Sequence, residues 1–455
     1  MTSLLSLLSV GASAVSAQNA GVAIAANNIA NANTDGYSQQ RVDFESLPAA
    51  PLIGGVRTGN PTRMQDNLLA KQIQTAAGSL AMSQSFSDGV SQLETAVSGG
   101  GPTVDEQLGT LFSSISAASA SPTDASLRGA VITAAGNLAT GIQRRAADVA
   151  TTRSDADVRI RAAAVSATTL ANQLAAANVA VAKTGDPAQL DHRDQLAKQL
   201  GQLVGGQARI DSDGQMRYVL DGGAVLVDGS HAATLAATAD PTTGFADLAV
   251  VNGSTSRDVT AAIGGGSIGA ALKLRDQTGA QAASQLDQVA YDLATSVNAV
   301  HTANAGLDGV SGRPMFTPPT QVAGAASTIA VDPALAANSQ LLALAAPSTG
   351  PGNNTGALAL FALGTRTVAS GGTRTLGDAA IDVVANVANA SSEAKSDATR
   401  DGLVSDHLAG LRDSLAGVDT QEQLTDLARF EQASNAMAKV VSTINDMLGS
   451  LITNL

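Results

Sequence analysis

Residues 420–455 read TQEQLTDLARFEQASNAMAKVVSTINDMLGSLITNL. One set of positions spaced by seven holds Leu427, Ser434, Val441, Leu448 and Leu455. A second set holds Phe430, Met437, Ile444 and Leu451. This 3–4 alternation is the apolar seam of a coiled-coil helix. Thr420 and Gln423 have the spacing of a capping box. The sequence therefore predicts a helix from about Gln421 to Leu455, roughly 50 Å long. Very few charges follow Lys439. A helix with so large an apolar face needs a partner.

The other end of the chain offers one. Leu8, Val15, Val22 and Ile29 are spaced by seven, Ala12 and Ala26 fill intermediate positions, and Asn19 interrupts the stripe. The pattern stops at Asn33-Thr34-Asp35-Gly36, where Gly36 can supply a left-handed turn. The expected arrangement pairs the two ends as coiled-coil helices. No proline precedes Pro48 or follows Pro351, so both ends can hold uninterrupted helices. The apolar start up to Ala17 superficially resembles a secretory signal. It lacks a basic n-region, the first positive residue being Arg41, so it reads as retained structure. No unbroken run of 18 apolar residues occurs, and no membrane-spanning helix is expected.

Composition bounds the middle. The chain has 455 residues, with no Trp, 3 Tyr and 7 Phe, and its apolar share is mostly Ala, Leu and Val. Such a chain builds its interior from many small contacts, as closely packed helices do. A net charge of −13 with no Lys/Arg-dense run argues against nucleic acid and anionic membrane surfaces. Zero Cys removes disulfides, thiolate metal sites and Cys nucleophiles. Helices are expected over 123–184, from Asp186-Pro187 through Leu190, Leu196, Leu200 and Val204, around Leu286 to Val300, and over 377–415. Between them Asp213-Gly214 and Asp221-Gly222-Gly223 separate short β-prone runs. Phe245 to Val251 and Val259 to Ile263 read as further strands. The fold class is mainly α with a β insert. Residues 1–40 and 415–455 form the paired terminal helices, 41–205 and 275–414 a helical middle domain, and 206–274 the inserted β domain. Residues 306–376 read as loops with a few short strands.

The candidates for chemistry are weak. Gly264-Gly265-Gly266-Ser267-Ile268-Gly269 matches a dinucleotide fingerprint, but no parallel strand follows it; a turn leaving the β domain is the better reading. Asp191 and Asp194 share a helix face with no third ligand nearby, and read as a solvated face. His231, His301 and His407 fall in unrelated segments. No nucleophile elbow, Walker A, zincin or EF-hand pattern occurs. No cofactor, metal or catalytic residue is expected.

Asn28-Ile29-Ala30-Asn31, followed by Asn33-Thr34, Gly36, Tyr37 and Ser38, closely resembles the N-terminal signature of bacterial flagellar rod, hook and hook-associated proteins. Asp35 stands where many relatives carry Pro. Phe430-Glu431-Gln432-Ala433 resembles their aromatic-Gln-Gln-Ala run, with Ser434-Asn435 departing from the usual aromatic. Within this axial family, Tyr37-Ser38 with Arg41, the helix carrying Leu190-Asp191-His192-Arg193-Asp194, and Val297-Asn298-Ala299-Val300-His301 are most similar to the hook-associated members. The resemblance implies a structural, non-enzymatic protein of the hook–filament junction. It implies a ring of copies seated between the hook protein and a second junction protein, extracellular on the flagellum. It also implies type III export without a cleaved signal, and a cytosolic chaperone on the C-terminal helix. The seam residues would then be the assembly surface. Alternatives are another axial component (hook or rod), an extracellular enzyme on a helical scaffold, or a cytosolic coiled-coil adaptor.

Overall fold

The computed structural model describes residues 2–47 and 54–453. Helix α1 (Thr2–Asn31) leads into four short strands, β1 (Gln40–Arg41), β2 (Phe44–Ser46), β3 (Val56–Thr58) and β4 (Thr62–Arg63). These form two antiparallel ribbons, β1 with β4 and β2 with β3. Helices α2 (Asn67–Ser98), α3 (Val104–Ala120), α4 (Ala125–Thr184) and α5 (Pro187–Val204) follow. Their starts are set by side-chain caps. The Asp66 and Asp124 carboxylates each accept two backbone N–H bonds, and Asp186 caps α5 with Pro187 in its first turn. Gly185, at φ +62°, ends α4 in the left-handed conformation.

The 60-residue α4 is the spine of the molecule. Val131, Leu138, Ile142, Val149, Ile160 and Leu174 are buried along it, and Ala135, Ala156, Ala164, Ala167 and Ala171 fill the gaps between them. Small side chains let neighbouring helices approach closely enough to bury the core without large aromatics.

The far half of α4 underlies a β layer. One antiparallel sheet has the order β5 (Gln207–Ile210), β6 (Met216–Val219), β7 (Val225–Asp228), β8 (His231–Ala232). The other holds β9 (Thr234–Ala239), β10 (Ala246–Asn252) and β11 (Thr255–Asp258), with β10 central. Side chains of α4 are hydrogen-bonded into both. Asn178 Nδ2 donates to the carbonyls of Met216 and Gly229 at 2.8 and 2.7 Å, and Asn178 Oδ1 accepts from Met216 N. Asp157 accepts from Ala246 N at 2.7 Å. The same carboxylate holds Arg275 at 2.6 Å, on a single π-helical turn, Leu274–Thr278, between α6 (Gly266–Lys273) and α7 (Gly279–Ala303). The chain closes through α8 (Ala325–Thr328), α9 (Pro333–Ala337), α10 (Thr355–Ala362), α11 (Leu376–Ala416) and α12 (Thr420–Thr453).

Several expectations need correction. Val259 to Ile263 is not a strand: Thr260–Ala262 is a 3-10 turn, because Thr260 Oγ1 closes onto Leu248 instead of continuing a ladder. Residues 306–376 carry short helices and isolated bridges rather than strands. Asp-Pro and Asn caps there nucleate single turns that are too short to show a period. The strands after α1 were not anticipated, nor were β5, β8, β9 and β11. Finally, Leu4–Asn31 reaches a mean hydropathy of 1.3, enough by length and composition alone to cross a bilayer. Counting unbroken apolar runs missed this, because Ala, Leu, Val and Ile raise the average across the Ser, Gly and Asn interruptions.

Candidate functional site

The two chain ends lie antiparallel along one another. Val441 faces Gly11, Phe430 faces Gly21, and Gln423 meets Asn28. On α12 the predicted seam is the inward face: Leu427, Phe430, Met437, Val441 and Leu448 are half-buried and Ile444 is buried. Leu451 is exposed, and Leu455 lies outside the described residues.

On α1 the register is shifted by one residue. The buried positions are Gly11, Ala14, Ala17, Gly21, Ala25 and Asn28, whereas Leu8, Val15, Val22 and Ile29 are half-buried flanks and Ala12 and Ala26 are exposed. The cause is size. A Cβ at Gly11 would sit 2.6 Å from Val441 Cγ2, and one at Gly21 would sit 2.9 Å from three carbons of the Phe430 ring. The bulky side chains of α12 need a smooth face, so α1 turns its smallest residues to them and its larger ones outward. Phe430 is backed from the other side by Phe44 of β2, with ring centroids 5.9 Å apart.

The Asn-rich turn is a structural knot. Asn28 is fully buried. Its Nδ2 donates to the Gln40 carbonyl at 2.9 Å and to Gln423 Oε1 at 2.8 Å. Its Oδ1 accepts from the Tyr37 hydroxyl at 2.7 Å and from Gln40 N at 2.9 Å. Burial, reinforced by the negative charge of Asp191, pushes the Tyr37 phenol up to about 12, so it remains a donor. Gly36, at φ +84°, makes the turn but lies beyond the helix end at Asn31. Asn31 and Thr34 bond locally, while Ala30 and Asn33 face outward. The cap of α12 is Asp419, whose carboxylate accepts from Gln421 N and Glu422 N. Thr420 and Gln423 do not form the box expected of them, because Gln423 is engaged with Asn28.

Ser38 carries the knot outward. Its N–H and hydroxyl donate to the two oxygens of Asp191 at 3.0 and 2.9 Å. Arg63 of β4 bridges Asp191 and Asp194 at 2.8 and 2.7 Å, and Gln65 donates to Asp194. These carboxylates are therefore not a solvated face, as sequence reading had them. They are the socket into which the terminal segment plugs. The signal missed was Arg63, 128 residues away from Asp191. Arg412 near the end of α11 adds a bond to the Tyr37 carbonyl at 2.6 Å, and Gln39 N donates to the Ala416 carbonyl.

The other candidates resolve as structure. Gly266, at φ +64°, opens α6 where a Cβ would strike Leu203 backbone at 2.5 Å, and Gly265 passes Gly205 as closely. The glycine run is thus a close backbone crossing, with no parallel strand after it. His301 is buried. Its Nε2 accepts from Ala343 N at 2.8 Å, so its Nδ1–H donates to the Arg313 carbonyl at 2.7 Å. Among the described residues no cluster of three or more His, Asp or Glu is placed to hold a metal. A cleft of about 720 Å³ beside the knot is walled by Met64, Leu69, Ile73 and Met216. Its carboxylates Asp191 and Asp194 are already held by Arg63, Ser38 and Gln65.

What remains open is apolar surface. Leu5, Leu424, Met447 and Ile452 on the two terminal helices are between half and seven-tenths exposed.

Residues 90–316 match the family model described as the flagellar hook-associated protein FlgK helical domain, and residues 8–37 match that of flagella basal body rod proteins. The chain is 26% identical to flagellar hook-associated protein 1 of Salmonella typhimurium over 69% of its own length; the match spans 59% of that relative. It is 23% identical to flagellar hook-associated protein 1 of Escherichia coli over 98% of this chain and 99% of that one. In fold it is similar to the flagellar hook junction protein FlgK from Burkholderia pseudomallei. The TM-score is 0.70 at 16% identity, over 76% of this chain and 100% of that one.

Proposed function

The chain belongs to the flagellar hook-associated protein 1 family, and from that premise we propose that it is a structural, non-enzymatic component of the bacterial flagellum, forming the junction between hook and filament. One observation carries this reading. The terminal helices pair with each other through one face and leave a second apolar face uncovered. An uncovered apolar face on the paired helices suits burial against further subunits. Its occupants would be other copies of this chain in a ring, with the hook protein on one side and a second junction protein on the other. Leu427, Phe430, Met437, Val441, Ile444 and Leu448 would hold the inner pair together, and the exposed Leu451 would meet neighbours.

The body made of 41–205 and 275–414, with the β layer of 206–274, would then stand outward from that core. The Ser38–Asp191–Arg63 tie would fix its angle. Before assembly the protein would leave the cell through the flagellar type III apparatus. A cytosolic chaperone would cover the C-terminal helix, reading Phe430, Met437, Val441 and Ile444 as groove anchors.

Deleting the gene and imaging the cells by electron microscopy tests the reading. Hooks without filaments, with flagellin shed into the medium, are expected. Absent hooks would move the protein to the hook or rod; normal flagella would remove it from the axial structure.

A further inference from the structure

Asn28 uses all four hydrogen-bonding positions of its amide. Three of them are met by Tyr37 and Gln40 in its own loop, so Asn28 is oriented without any help from α12. The partners also fix which end is nitrogen: the oxygen accepts from an N–H and an O–H, and the nitrogen donates to carbonyl oxygens. The remaining N–H points at a single place on α12, and Gln423 occupies it. Gln423 is the one buried polar side chain of α12 among the described residues, 4% exposed.

Elsewhere the interface holds one further polar pair, Ser434 Oγ donating to Asn19 Oδ1 at 2.9 Å on its exposed flank. The short link 417–419 ties the start of α12 to Ala416, whose carbonyl accepts from Gln39 N. The buried positions themselves say little about alignment. The α1 face is Gly and Ala, and α12 repeats its apolar positions every seven residues. Sliding α12 by one heptad would again set apolar side chains on small ones. It would also set Phe430 against the Asn28 N–H and leave that buried donor without an acceptor. A polar residue at one seam position is a known device for fixing register, at some cost in stability.

We propose that Gln423 is the positioning residue that sets the antiparallel register of α12 on α1, reading Asn28 as its reference point. The inference deepens the assembly reading and rests on it for its biological meaning: a slipped pair would present the uncovered apolar face to neighbours in the wrong place.

The chain contains no Cys, so register can be trapped by disulfides in the purified full-length protein, without any requirement for assembly. A Cβ built at Gly11 lies 4.0 Å from Val441 Cβ, within the range a disulfide spans. The reporter of the native register is Gly11→Cys with Val441→Cys. The reporter of slippage is Gly11→Cys with Leu448→Cys, the register that sets Phe430 against Asn28. With Gln423 in place, only the first pair should close. In Gln423→Leu a slipped pair should rise by about tenfold or more, the size expected when a buried donor no longer penalises misalignment. Gln423→Glu keeps an acceptor for Asn28 and should restore the native pattern. If Gln423→Leu still closes at 441 alone, the glycine notches set the register and the proposal fails. If it closes nowhere, Gln423 holds the helices together rather than aligning them, and the proposal fails equally. Correct trapping in a protein that does not assemble would overturn only the functional reading.

Discussion

Helices α4 and α12 both carry an apolar stripe at helical spacing, interleaved with Ala on α4 and built of larger side chains on α12, yet they end in opposite states. Along α4 Val131, Leu138, Ile142, Val149, Ile160 and Leu174 are wholly withdrawn from water, covered by α3, α5, α7 and the β layer. Along α12 only Gln423 and Ile444 are buried. Burial is therefore not legible from the period of a single helix; it depends on how many neighbours the chain itself supplies. The body satisfies its apolar surface internally. The terminal pair satisfies about half and leaves the remainder for something outside the chain.

The sharpest way to break this contrast is to remove part of the pair. Deleting Asn435 to Leu455 takes away Met437, Val441 and Ile444, but nothing that the core of α4 touches. The body should melt at its original temperature, followed by circular dichroism, while incorporation into flagella is lost. A truncated protein that still incorporates, or a body that melts markedly earlier, would show that the two regions are not separable.

The converse substitution lies in the body. Burial pushes the Asp157 carboxyl up, but bonds from Ala246 N, Arg161 and Arg275 outweigh that and hold it below the usual carboxylate range. Asp157→Ala would leave the Arg275 guanidinium, 3% exposed, without its partner on α4. Arg275 would keep Asp276, which it holds bidentately at 2.7 and 2.8 Å, so the loss should stay below the roughly 3–5 kcal/mol of a buried charge left with no partner. Chemical denaturation should show that loss, with the Gly11→Cys/Val441→Cys disulfide still forming. Loss of the disulfide as well would couple the regions.

Within the pair itself, Gly21→Ala should cost about 1–3 kcal/mol, the usual range for overpacking a tight contact. The new methyl would meet a Phe430 ring that Phe44 prevents from retreating. Adding Phe430→Leu should recover most of the loss, read as protease protection of the termini. A double variant no better than Gly21→Ala alone would mean that the notch is not what limits the approach.

How much of this was legible beforehand divides along the same line. The α12 seam could be read because Phe430, Met437, Val441 and Ile444 are large and unmistakably periodic. The α1 face could not, because the residues that matter there are Gly and Ala, and hydrophobicity points to the larger neighbours one position away. The first half of helix α2 escaped for a similar reason, since Ala77, Gly78 and Ser83 barely contrast with its outer face, whereas Phe86, Val90, Leu93 and Val97 form a legible stripe that sequence reading passed over. The Asn28 turn could be recognised as a motif but not understood. Its meaning depends on Gln423, 395 residues away, and on Asp191, 153 residues from Ser38. Long-range polar pairs leave no period in a sequence.

The smallest effect expected is the pH response of the body, and it separates the regions without altering either. Burial depresses the His301 pKa most; the Arg313 carbonyl and Asp332 oppose this, while the positive charges of Arg128 and Arg313 add to it. The folded chain therefore keeps a neutral ring, whose Nε2 must accept from Ala343 N. An unfolded chain takes up the proton below about pH 6.5. Because the folded pKa is the lower one, the contribution is fully present above that pH and is lost as pH falls beneath it. A single site can change stability by at most about 1.4 kcal/mol per pH unit. The melting temperature of the body should therefore fall between pH 6.5 and 5, and His301→Gln should flatten that slope while lowering stability at neutral pH. The terminal pair has no group of this kind: Gln423 and Asn28 do not titrate, so the protection of α1 and α12 amides against hydrogen exchange, corrected for the intrinsic pH dependence of exchange, should not follow the body. A pair that loosens over the same interval would show that acid acts on the whole molecule, and His301 would lose its place as the origin of the response.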